Sequence, residues 1–83
     1  MNFIMVKKII DNWDPVELLA THSPSDEYDS ETQEIIDAII NNTVGEVAQI
    51  IQDVFINAFG NDFFTRSLDE CMAIAKEIIQ SIN

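Results

Sequence analysis

The sequence predicts an all-α protein: a compact bundle of four principal helices, at about 2–13, 31–41, 44–59 and 68–82, plus one short helical turn at 15–19. Three observations predict it. Apolar residues recur at helical spacing through four segments. Four points in the chain carry a capping residue followed three places later by Glu or Gln. And 2 Gly and 2 Pro in 83 residues are too few for a turn-dense β architecture.

In the first segment Phe3, Val6, Ile9, Ile10 and Trp13 share one face at 100° per residue, and Ile4 falls outside it. Asp14 with Glu17 then reads as a helix start, with Pro15 where a missing N–H costs nothing. Trp13 and Leu18 have the spacing of a hydrophobic staple, which gives Trp13 a packing duty ahead of an interface one. Trp13-Asp14-Pro15 therefore predicts a sharp corner. Residues 21–29 read as a loop, with Pro24 disfavouring helix at Ser23.

Ser30 with Gln33 opens the next segment, where Ile35, Ile36, Ile39 and Ile40 cover one side. The paired Ile-Ile spacing is that of a helix face, not of a strand. Thr43 with Glu46 opens the third segment. Its apolar arc of Val44, Val47, Ala48, Ile51, Val54, Phe55, Ala58 and Phe59 is broad enough to predict the central helix. Gly60 is its expected left-handed stop, and Ile56 lies outside the arc. Ser67 with Glu70 opens the last helix, whose stripe is Leu68, Cys71, Met72, Ala75, Ile78, Ile79 and Ile82. No repeat, low-complexity tract or second domain interrupts residues 1–83.

Charge sets the functional bounds. Residues 9–65 contain no Lys or Arg but hold twelve carboxylates, and the whole chain carries a net charge of −11. Few internal salt bridges can form there, so the charges meet water, a metal ion or a basic partner. A phosphate backbone is repelled, because contact with it depends on Lys and Arg; an anionic membrane is repelled likewise. The apolar run Phe3–Val6 is too short for a signal-peptide core, and no stretch approaches the roughly 20 apolar residues of a membrane span. A lone Cys71 forms no intramolecular disulfide and no thiolate cluster. A cytoplasmic soluble protein is expected.

Each candidate for chemistry has a plainer explanation beside it. Asp26, Glu27, Asp29 and Glu31 are hard-oxygen ligands in kind, but they lack the glycine and the spacing of an EF-hand loop. Asp29 and Glu31 also suit the positive end of the following helix, with Tyr28 packing over the corner. Glu31, Glu34 and Asp37 form an acidic ridge, either a solvated face or a surface for a basic partner. Cys71 lies mid-stripe, where burial and nearby carboxylates raise a thiol pKa. His22 stands alone in the loop without a convincing third group for catalysis. No cofactor is implied. Ile4 and Ile56, off their stripes, favour partner contact or a homodimer.

Trp13-Asp14-Pro15 with Leu18-Leu19, followed by Pro24-x-Asp26-Glu27-Tyr28-Asp29-x-Glu31, resembles the YugE-like family of small uncharacterised proteins from Gram-positive bacteria. Phe59-Gly60 and Cys71-x-x-Ile74-Ala75 are similar to it too, so the likeness runs from about Ile9 to Ile79. It implies a compact helical domain that stands alone. The family has no assigned activity, so no catalytic or binding residue and no surface partner carries over.

The sequence thus reads as a small acidic, non-enzymatic interaction module that docks on a protein with a basic surface, through Asp26, Glu27, Glu31, Glu34 and Asp37. An immunity-type inhibitor of a basic toxin or nuclease is the sharper form of that reading. A divalent-metal sensor is the other alternative.

Overall fold

Four helices form where the apolar periodicity lies: α1 (Phe3–Trp13), α2 (Asp29–Ile39), α3 (Val44–Phe59) and α4 (Leu68–Ile82). The structure, a computed structural model, describes residues 3–20, 26–40 and 42–82, and no strand occurs among them. His22, Pro24, most of the expected 21–29 loop and the outermost residues expected for the first two helices lie outside the described residues.

α1 packs against α2 and α4, and α3 packs against the same two, so the helices close a ring. The most extensive interface joins α3 to α4. The sequence pointed to one central helix, but the core is shared. Val6 and Ile10, Ile35 and Ile39, Val47, Ile51 and Phe55, and Cys71, Ala75 and Ile78 come from all four helices into one buried cluster. Burying each large side chain contributes about 1.5–3 kcal/mol. The radius of gyration, 11.7 Å, is close to the roughly 12 Å of a compact chain of this length.

The boundaries of α3 and α4 fall as expected, while α2 is displaced. It starts at Asp29 and ends at Ile39, two residues early at each end. Its first helical bond is Thr32 N to Tyr28 O at 2.8 Å, so the buried Tyr28 sets its start. Ser30 lies inside the helix and is no cap; the N-cap position is Tyr28, without a side-chain cap. At the other end Ile40 turns extended and is 63% exposed, while the Asn42 amide donates to the Ala38 carbonyl. Ile40 therefore does not join the apolar side. Leu68 (41% exposed) and Ala58 also stay outside the core, and Ile56, expected to stand apart, packs against it.

Thr43 and Glu46 form the full reciprocal box, Thr43 N to Glu46 Oε1 at 2.8 Å and Glu46 N to Thr43 Oγ1 at 3.3 Å. Ser67 Oγ accepts from Glu70 N at 3.1 Å, but the Glu70 carboxylate turns elsewhere. Gly60 ends α3 at φ +87° and ψ 161°, a region that only glycine enters readily.

Candidate functional site

Residues 14–20 form a series of turns instead of the expected helical turn. Asp14 and Glu17 both have positive φ, 49° and 59°, which no helix start allows. Asp14 does not cap Glu17. Its carboxylate accepts from Leu19 N at 3.1 Å, Ala20 N at 3.0 Å and the Tyr28 hydroxyl at 2.6 Å. The same hydroxyl accepts from Val16 N and Leu18 N, each at 3.3 Å. One Asp–Tyr pair thus satisfies four amides of a short turn segment that has no ladder of its own. Arg66 Nε donates to the Pro15 carbonyl at 3.0 Å, and Glu70 accepts from Trp13 Nε1 at 2.6 Å. Both tie the corner to the start of α4.

Titration behaviour follows these contacts. Burial pushes Asp14 upward, but the Tyr28 hydroxyl, the two amides and the charge of Arg66 outweigh it and hold the carboxyl below its ordinary range. Burial, with the Asp14 hydrogen bond second, pushes the Tyr28 phenol up to about 12.

Beneath this hub lies an aromatic cluster centred on the fully buried Phe55. Phe55 stacks on Phe64 at 5.5 Å and on Phe59 at 6.1 Å, and meets Trp13 and Tyr28 edge-on at 5.8 Å each. Trp13 meets both Phe55 and Phe64 edge-on, so its packing duty is in the aromatic core. The cluster reaches the surface as a groove of about 350 Å³, lined by Val16, Leu18, Glu27, Ala58, Phe59 and Phe63. Phe64 is 3% exposed, whereas its neighbour Phe63 is 72% exposed.

The five carboxylates expected to dock a partner lie beside this groove and along α2. Asp26, Glu34 and Asp37 are exposed; Glu27 and Glu31 are half-buried. Asp37 accepts from Gln33 Nε2 at 3.0 Å. Glu31 Oε1 is buried without a hydrogen-bond partner. Burial raises the pKa of Glu31 against a hydrogen bond from its own backbone, and the charges of Glu34, Glu27 and Asp29 add to the rise. These through-space effects join Glu27 in the groove to the ridge on α2. Among the described residues the ion pairs are Lys7 with Asp11 and Asp29, and Arg66 with Glu70; the five carboxylates are in none of them.

Other candidates resolve simply. Cys71 is fully buried, and burial, with the Glu70 charge behind it, pushes its thiol up to about 11, far from thiolate chemistry at neutral pH. Among the described residues no three His, Cys, Asp or Glu side chains stand together as metal ligands. No helix of the described residues is long and apolar enough to cross a membrane.

Sequence reasoning missed the groove and the Asp14–Tyr28 bond. One signal was available: a Phe63-Phe64 pair just past a helix-ending glycine has no helical face to share, so one ring must point outward. Residues 5–82 match a family model described as Domain of unknown function (DUF1871). No curated protein and no solved structure matches the chain.

Proposed function

We propose a function from one premise: the chain belongs to the DUF1871 family, a domain of unknown function. We read that family more finely as the YugE-like proteins of Gram-positive bacteria, on the Trp13-Asp14-Pro15 and Asp26-Glu27-Tyr28-Asp29 motifs. The protein is a small, cytoplasmic, non-enzymatic interaction module, and its acidic face docks a protein with a basic surface. It binds neither nucleic acid nor membrane, because its charge opposes both.

One observation carries this reading. Glu31 keeps a buried oxygen without a partner in the field of Glu27, Asp29 and Glu34, a costly arrangement for an isolated fold. A cation brought to Glu27, Glu31 and Glu34 relieves it, and the charged face speeds the encounter. A basic toxin or nuclease has the required surface chemistry.

The test is affinity capture from the native host with Asp26, Glu27, Glu31, Glu34 and Asp37 all changed to Lys. The unchanged protein is expected to capture a basic protein in a salt-sensitive manner. The reversed variant, confirmed as folded by circular dichroism, is expected to lose it. Identical capture by both proteins would overturn the reading.

A further inference from the structure

We propose that the groove between the 14–20 turns and the end of α3 receives a short segment of a partner protein, carrying one or two bulky apolar side chains flanked by Lys or Arg. This rests on the acidic-face reading, with Glu27 common to both sites.

The lining is apolar on every side but one. Val16, Leu18, Ala58, Phe59 and Phe63 form the walls, and Glu27 is the sole charged residue among the lining groups. At about 350 Å³ the space suits one or two large side chains and is too small for a whole helix. Phe63, at 72%, is the most exposed large apolar residue described, the type of ring that binding hot spots use.

Three of the walls are anchored before anything binds. Val16 and Leu18 are held through their amides by the Tyr28 hydroxyl, and Phe59 is stacked on the buried Phe55. Little ordering cost is therefore left to the binding event.

Charge decides the occupant. Glu27 lines the groove and the exposed Asp26 adjoins it. The exposed Asp62 precedes the lining residue Phe63. A second copy of this chain would bring the same carboxylates face to face across a two-fold axis, with −11 on each molecule. A neutral apolar compound would leave the rim without a counter-charge. A cation-flanked apolar anchor satisfies both parts.

The test is a titration of isotope-labelled protein with three synthetic peptides, followed by amide chemical shifts. One peptide places Leu and Trp among Lys, the second replaces each Lys by Glu, and the third replaces the apolar residues by Ser. The first is expected to bind and to shift Val16, Leu18, Phe59 and Phe63. Phe63→Ser, an exposed change that leaves the melting temperature in place, is expected to weaken it by about tenfold, and Glu27→Lys by a similar factor. Equal binding by the Glu peptide would overturn the charge argument. Equal binding by the Ser peptide, with shifts confined to α2, would overturn the groove while leaving the acidic-face reading intact. No binding by any peptide would also overturn the inference. So would a dimer of the free protein that Phe63→Ser dissolves, since a second copy would then be the occupant. The charge-reversal capture judges the underlying reading separately.

Discussion

Asp14 and Glu31 are both half-buried carboxylates on a strongly acidic protein, and they end in opposite states. Asp14 collects three donors and titrates below its ordinary range; Glu31 has an unpartnered buried oxygen, carboxylate neighbours, and titrates above its range. The difference lies in local backbone. Asp14 precedes a segment of turns whose amides lack partners, so its oxygens are needed there. Glu31 sits in the first turn of α2, where helix geometry places Glu34 on the same face and Glu27 lies in the turn just before the helix. Charge used for architecture and charge left for a partner are thus distinguishable inside one chain.

The largest loss of stability is expected at Asp14. Asp14→Ala removes the acceptor of the Tyr28 hydroxyl and of two amides, and places alanine at positive φ. A loss of about 3 kcal/mol is expected, read as a lower urea midpoint at unchanged slope. Tyr28→Phe keeps the ring in its cluster and deletes only the hydroxyl, so about 1.5 kcal/mol is expected by the same measurement. That variant also loses an alkaline feature. The folded phenol is raised to about 12 from 10.0, so its contribution is intact below pH 10 and disappears as pH climbs toward 12. Tyr28→Phe should flatten that decline.

The ridge should respond weakly and with the other sign. Glu31→Gln removes one member of a like-charged group, and stability is expected to rise by about 0.5 kcal/mol. Acid should separate the two carboxylates further. Glu31 has a raised folded pKa, so its contribution is complete below 4.5 and fades as pH rises through the folded value. Asp14 has a lowered one, so its contribution is complete above 3.8 and fades as pH falls through the folded value. Stability, followed by urea midpoint, should therefore increase as pH falls from 7 toward 4.5 and decline only in acid below 3.8. Glu31→Gln should reduce the increase and leave the acid fall.

Much of the bundle was legible, because helical periodicity and caps are local signals. Thr43 and Glu46 needed only each other, and α3 began where they said. Asp14 and Glu17 carried the same pattern and made no helix, because Asp14 was claimed by Tyr28, fourteen residues away in sequence. Glu70 was drawn likewise to Trp13 across 57 residues. Long-range partners override a local pattern, and spacing does not reveal them. The same holds for the groove, whose walls come from the 14–20 turns, the end of α3 and the turn after it. The acidic ridge was readable because it lies on one helix; the pocket beside it was not.

The most direct test is a side-chain carbon titration by NMR that resolves Asp14 and Glu31 in the same sample. Asp14 is expected to titrate below 3.8 and Glu31 above 4.5. If Glu31 titrated at or below 4.5, its charge would already be satisfied within the fold, and the division between structural and partner-facing carboxylates would be wrong.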